Sequence, residues 1–294
     1  MAPTPSARTS DPSFWTPRTG GHLDIVLALI RRSVQEVTGR EPPLNSPTLY
    51  LNDHGDRHIQ AVLAHAQVIA RGPYVKTFLA VDQSVLCSAI WLHDVGLFVA
   101  NRDENETVSR RRHAERSAEF ILGLQRRNPD VISEPMAQLL AELCRAHRRT
   151  FPLDRIEAGP VVPELPLGMS LNPALLAALL RICDAADAGQ NRTPAALFQL
   201  WGEEVPVESR DYWQAHVLIH SSSVNPRSGE VTFHLAPNAN PLDSRLRELY
   251  IATSEDLDST RSVLNQHLLT PWDVRYQLGG SVINPGVLYA KSDK

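Results

Sequence analysis

The chain has 294 residues, 43% hydrophobic and 21% charged, the proportions of an ordinary soluble globular protein with room for a sizeable core in one large domain or two moderate ones. Its 29 basic and 33 acidic side chains leave a formal net charge of −4, which argues against a broad electrostatic footprint for duplex nucleic acid while leaving small anionic substrates open. No window is apolar for long enough to cross a bilayer, no signal-peptide run opens the sequence, and the three cysteines (Cys87, Cys144, Cys183) fall inside apolar helical patterns. The reading is a cytoplasmic, reduced protein with no membrane contact.

Residues 1–21, rich in Pro, Thr and Ser, read as a flexible tail. Leu23, Val26, Leu29, Ile30, Val34 and Val37 recur at helical spacing and stop at Gly39. Pro42, Pro43 and Pro47 mark a loop; Asn52 and Asp53 are candidate caps for a second helix with His58, Ala61, Val62, His65, Ala66 and Ile69 on its inner face. A third helix is predicted over about 78–92, and a fourth from near Arg111 with His113, Ser117, Phe120 and Ile121 on one side. A fifth covers about 131–147, where Leu139, Leu140 and Leu143 lead to His147, and a sixth starts at Pro173, a favoured first helical position, and reaches Asp184 and Asp187. The connections 98–110, strongly charged, and 148–172, rich in proline, interrupt this series.

Beyond Trp201 the pattern changes. Val217 and Ile219 alternate with His216 and His220, Asn225-Pro226-Arg227-Ser228-Gly229 makes a turn, and Val231, Phe233 and Leu235 alternate with Thr232 and His234. That is a hairpin with one apolar face, on which His220 and His234 would face one another. A long amphipathic helix over about 244–268 and a short strand over 274–278 follow. The fold class is therefore mainly α: a helical bundle over 22–200 and an α/β extension over 201–294, whose small hairpin must pack on helices because it is not stable alone.

The most informative feature is His93-Asp94, which closes the apolar run 85–92, with His58 upstream and His113, His147 and Asp184 downstream at intervals of about one helix. Neutral imidazoles and carboxylates bind hard or borderline divalent ions, and adjacent His and Asp ligands let the carboxylate bridge two metals while the imidazole binds one. Arg112 and Arg116 flank His113, Arg148 and Arg149 follow His147, and Arg192 lies past Asp184. Arginine grips phosphate in a planar, bidentate way, so these five are the candidate substrate-binding residues.

Taken in order, His58, His93, Asp94, His113, His147 and Asp184 resemble the HD superfamily of metal-dependent phosphohydrolases, and the resemblance covers roughly 51–192. Its most specific pieces are Asn52-Asp53-His54-Gly55-Asp56-Arg57-His58, Leu92-His93-Asp94-Val95-Gly96 and Asp184-Ala185-Ala186-Asp187. The two extra histidines look like the expanded six-ligand set that holds two metals. Asp53-His54-Gly55 and Arg181-Ile182-Cys183-Asp184-Ala185-Ala186-Asp187 with Arg192 are similar to a longer HD branch with a mixed α/β tail, some of whose members are fused to chaperone-like ATPases. The Gly-Tyr-Pro signature of the cyclic-dinucleotide branch is missing.

The resemblance implies an HD-type bundle and hydrolysis of a nucleotide or other small phosphate ester at a dinuclear centre. Asp94 would bridge two divalent ions, with His58, His93 and Asp184 completing one site and His113 and His147 the other. A metal-bound hydroxide would be the nucleophile, because coordination lowers the pKa of water from 15.7 to about 7. Iron or manganese is the expected pair, with Mg, Co, Ni and Zn also compatible. His54 and Asp187 are candidates for orienting a ligand or moving a proton. Two other readings stay open: a mixed-valent di-iron oxygenase of the same superfamily, and a nucleotide- or partner-binding module without turnover. A homodimer is also left open.

Overall fold

The computed structural model describes residues 21–39, 54–71, 79–99, 104, 106–156, 162–165, 171–193, 207–267 and 269–292. All of the expected tail over 1–21 but Gly21, and the caps Asn52 and Asp53, lie outside the described residues. The bundle is built from α1 (His22–Thr38), α2 (Asp56–Ala70), α3 (Ala80–Leu92), the single turn α4 (Val95–Phe98), α5 (Glu106–Arg127), α6 (Glu134–Ala146) and α7 (Pro173–Ala186). Helix α3 is buried at eleven positions, Asp82 and Ser84 among them. A helix apolar on every side belongs in the centre of a bundle, and α1, α2, α6 and α7 all pack against this one. Pro173 begins α7 as expected, with the Asn172 side chain accepting from Leu175 N (2.9 Å) ahead of it, and α6 is capped by the Ser133 hydroxyl, which accepts from Met136 N (3.3 Å).

The rest of the chain forms α8 (Val207–Val217), β1 (Ile219–Asn225), β2 (Glu230–Leu235), α9 (Ser244–Asp258), α10 (Arg261–Gln266), β3 (Asp273–Leu278), β4 (Ser281–Ile283) and α11 (Pro285–Ser292). The strands make one mixed sheet in the order β1-β2-β3-β4, antiparallel at β1–β2 and β3–β4 and parallel at β2–β3. Val231, Phe233, Val274 and Tyr276 bury one face of it. Strand β1 lies against α2, and α9 and α10 lie against α7, so the mixed segment packs on the bundle. The fold is mainly α, as the periodicity implies.

Four expectations are corrected. Residues 106–110, expected in a connection, are the first turns of α5: their charged side chains mask the amphipathic spacing that buries Ser109. His216 and Val217, expected in a strand, end α8, where the His216 ring Nδ1 accepts from Gly189 N at 3.1 Å. The helix expected over 244–268 breaks at Ser259 and Thr260, whose hydroxyls bond back to the Asp256 and Leu257 carbonyls at 2.5 and 2.7 Å and so compete with the helical ladder. His234 pairs with Ser221, and the register shifts between Ile219 and Ser221, so His220 and His234 are not opposite one another. The short strand expected over 274–278 is β3; β4 and α11 gave no signal that was read in the sequence.

Two ties hold the bundle where the ligand candidates meet. Arg181, buried in α7, donates from Nη2 to the carbonyls of Ala146 (2.5 Å), Arg148 (2.7 Å) and Phe151 (3.0 Å), and from Nη1 to Ser259 Oγ (2.6 Å). One guanidinium thus satisfies the carbonyls at and beyond the end of α6, which no intrahelical partner can reach. The Ser117 hydroxyl in α5 donates to the His93 carbonyl (2.7 Å) and accepts from Gly96 N (2.9 Å), pinning the turn between α3 and α4 against α5.

Candidate metal centre

Six side chains reach one point from several places in the bundle. His58 is in the first turn of α2, His93 and Asp94 form the turn between α3 and α4, His113 is in α5, His147 follows α6, and Asp184 is in the last turn of α7. His58 and His93 are at most 1% exposed. His58 Nε2 lies 3.1 Å from His93 Nε2, 3.6 Å from Asp94 Oδ2 and 3.3 Å from Asp184 Oδ1; His93 Nε2 lies 3.3 and 3.7 Å from the same two oxygens. On the other side of the carboxylate, Asp94 Oδ1 is 3.3 Å from His113 Nε2 and 3.7 Å from His147 Nε2, which are 2.8 Å from each other. The donors fall into two groups that share Asp94, one oxygen to each.

The ring hydrogen bonds decide which nitrogens are free. His93 Nδ1 donates to Ile90 O (2.8 Å), His113 Nδ1 to Arg110 O (2.6 Å) and His147 Nδ1 to Cys144 O (2.5 Å). His58 Nδ1 donates to Asp187 Oδ2 at 2.6 Å. Because each partner is an acceptor, each Nδ1 carries the proton and each Nε2 of a neutral ring presents a lone pair. Four such lone pairs and two carboxylates then point at one another, an arrangement that only positive charge between them makes favourable. Nitrogen ligands about 2.0–2.1 Å from a common ion stand about 3.0–3.4 Å apart at the usual angles, close to the separations here. The donor set therefore fits divalent metal ions.

The electrostatics agree. Against the upward push of burial, His93 and His54 hold the Asp94 carboxyl well below its ordinary range. Burial works to strip His93 of a proton, yet Asp94 and Asp184 hold its affinity well above the ordinary value. Burial, with His113 beside it, takes His147 down to about 3. The shared carboxylates attract positive charge into a pocket that disfavours protonating the outer histidines.

A cavity of about 330 Å³ opens on this centre and is lined by His54, Asp94, Leu97, Arg110, His113, His147, Arg148, Arg149, Thr150, Asp184 and Asp256. Of the five expected arginines, Arg148 and Arg149 are here. Arg149 is paired with Glu255 Oε2 at 2.5 Å, and Arg148 donates to the Arg111 carbonyl. Arg112 and Arg116 are not brought to it: both are tied to Glu104 and line a separate surface depression. Arg192 is buried behind the donors, with Nη1 donating to Asp187 O (3.2 Å) and Nη2 3.1 Å from His54 Nδ1. Of the two candidates for proton movement or orientation, His54 is at the cavity wall with Nδ1 2.6 Å from Asp94 Oδ2, whereas Asp187 is on the far side of His58 from it. Arg110 takes the place expected of Arg112. Its spacing of three from His113 puts it on the same helical face, a signal hidden by reading the Arg110-Arg111-Arg112 run as a solvated helix start. Thr150 and Asp256 had no sequence signal.

Asp187→Asn leaves the shape of its side chain and removes the charge that holds the His58 proton on Nδ1. We expect metal affinity to fall about 10–100-fold with the fold intact. Titration of the metal-free protein with Mn by calorimetry reads this directly; unchanged affinity would mean that Asp187 does not orient His58.

Among the described residues no helix is long and apolar enough to cross a membrane. A family model described as HD-CE matches residues 47–266, three quarters of the chain, and runs through residue 200, where the bundle and its extension were expected to divide. No curated protein is similar enough to the chain to count as a match.

Proposed function

Because the chain belongs to the HD-CE family, we propose that it is a metal-dependent phosphohydrolase acting on a small phosphate ester, nucleotides included, at a dinuclear centre. The observation that carries this reading is Asp94, whose Oδ2 faces His58 and His93, themselves beside Asp184, and whose Oδ1 faces His113 and His147. His58, His93, Asp94 and Asp184 would hold one divalent ion, and Asp94, His113 and His147 the second. Bound there, such a pair supplies hydroxide at neutral pH and neutralises charge on the phosphoryl oxygens.

The remaining chemistry falls to this chain's own side chains. Arg110 and Arg148 at the cavity wall would receive the phosphoryl oxygens and orient the ester toward Asp94. His54 holds Asp94 Oδ2 and fixes the carboxylate plane, while Asp187, backed by Arg192, keeps His58 Nε2 free of its proton.

The test is metal analysis of the protein as purified, followed by phosphate release from a panel of phosphate esters with Mn or Fe supplied and oxygen uptake followed in parallel. We expect close to two equivalents of metal and phosphate release without oxygen uptake. Oxygen uptake with no phosphate release would replace the hydrolase with the di-iron oxygenase, and tight nucleotide binding without product would replace it with a binding module.

A further inference from the structure

Asp256 is out of keeping with a simple phosphate pocket. It comes from the last turn of α9, in the mixed C-terminal segment, yet it lines the same cavity as Arg110, Arg148 and the donors of the metal centre. A carboxylate in a phosphate site repels the ligand, so on electrostatic grounds alone it lowers affinity. Its surroundings, Arg149 and Arg181, offset its charge only in part. Among the described residues its nearest cation is Arg149, at 3.9 Å, and that guanidinium is engaged by Glu255 at 2.5 Å. No donor is within hydrogen-bond reach of its carboxylate oxygens among the described residues, whereas other acids in this neighbourhood have one: Asp94 has His54, Asp187 has His58, and Glu255 has Arg149. Burial, with Asp184 nearby, pushes its carboxyl up to about 6 against the pull of Arg149 and Arg181.

A half-buried carboxylate that faces a cavity and accepts no hydrogen bond from a side chain among the described residues is free to accept one from a ligand that brings a donor to it. The other lining residues narrow the ligand further. Leu97 is the one apolar residue among the described lining residues, which include no Phe, Tyr or Trp, so beyond the imidazoles of the donor cluster and the guanidinium groups the lining offers no ring for a nucleobase. Its walls carry cationic and acidic side chains together.

We propose that Asp256 is a specificity-determining residue that accepts a hydrogen bond from the alcohol part of the substrate, and that the substrate is a hydroxyl-rich phosphomonoester, such as a sugar or polyol phosphate. This rests on the phosphohydrolase reading for the reaction but not for the recognition. The phosphoryl group sits at Arg110 and Arg148 over the metal centre, and a hydroxyl further along the molecule meets Asp256. The C-terminal segment thereby takes part in recognition, since α9 delivers the residue that reads the part of the substrate the metals do not touch.

The experiment compares the full-length, Mn-loaded wild type with Asp256→Leu and Asp256→Asn on glucose 6-phosphate, glycerol 2-phosphate, phosphoethanolamine, AMP and p-nitrophenyl phosphate, the last carrying no donor beyond its phosphate. We expect the ratio of kcat/KM for glucose 6-phosphate to that for p-nitrophenyl phosphate to fall at least about ten-fold in Asp256→Leu, through KM, and less in Asp256→Asn, which keeps one acceptor oxygen. An equal effect on both esters, or a loss confined to AMP or phosphoethanolamine, overturns the proposal. Calorimetric binding of glucose 6-phosphate and inorganic phosphate repeats the comparison without turnover. If no ester is hydrolysed but Asp256→Leu selectively weakens glucose 6-phosphate binding, the reaction is wrong and the recognition stands; if binding of the two ligands weakens equally, the recognition is wrong.

Discussion

Asp94→Ala is expected to reduce bound metal from about two equivalents to one or fewer and to lower phosphate release at least about a thousand-fold, on the order of 4 kcal/mol of transition-state stabilisation. Both losses follow from the same geometry. Asp94 is the side chain common to the two donor groups, 3.3 Å from His93 Nε2 through one oxygen and 3.3 Å from His113 Nε2 through the other. Removing it leaves the inner group with His58, His93 and Asp184 and the outer one with two imidazoles and no carboxylate. The outer group should lose its ion first, because two neutral nitrogens cannot offset the charge of a divalent cation. His54 would lose the acceptor for its Nδ1 as well. Metal analysis and phosphate release, read beside circular dichroism to establish that the helices remain, decide the matter. A folded variant that keeps two equivalents and the wild-type rate would remove the shared-carboxylate centre from consideration.

The residues of that centre were legible in the sequence because each requirement leaves a local trace. A metal-binding imidazole in a helical bundle must sit on a core-facing position, and His58 falls among Val62, Ala66 and Ile69 on the inner face of its helix, just as His147 follows Leu140 and Leu143. The bundle itself was legible for the same reason. What could not be read depends on pairings that no local pattern encodes. Arg112 and Arg116 were natural phosphate contacts by their nearness to His113, but Glu104 captures both, and a charged side chain carries no sequence mark of the partner it will choose. Asp256 joins the cavity through the packing of α9 on α7, a contact between elements far apart in the chain. The break at Ser259 and Thr260 was invisible for another reason: hydroxyl back-bonding overrides an amphipathic pattern that continues through it.

Gly96→Ala should be among the most destabilising small substitutions in the protein. The helix α4 in which it sits crosses α5 so closely that a β-carbon at this position would run into the His113 carbonyl oxygen and lie 2.8 Å from Ser117 N. Both neighbours are backbone atoms of a long helix, so neither can rotate away, and the strain must be relieved by moving α4 off α5. Overpacking of this kind costs roughly 1–3 kcal/mol and occasionally more, and we expect the upper end, about 3 kcal/mol. Gly123, in the same helix α5, is the internal control. A β-carbon there meets only the ends of the Arg127 and Arg126 side chains, at 3.4 and 3.7 Å, so Gly123→Ala should gain about 0.5–1 kcal/mol from helix propensity. The displacement in Gly96→Ala also has a chemical consequence. It separates the turn carrying Asp94 from the helix carrying His113, breaks the Ser117 bridge between them, and so weakens the outer donor group before the inner one. Denaturant unfolding of the metal-free proteins gives the stability order, and Mn titration gives the two affinities. A Gly96→Ala protein within about 0.5 kcal/mol of wild type would show that α4 and α5 do not meet as described, while one that is destabilised yet binds both ions normally would show that their contact does not position His113 against Asp94.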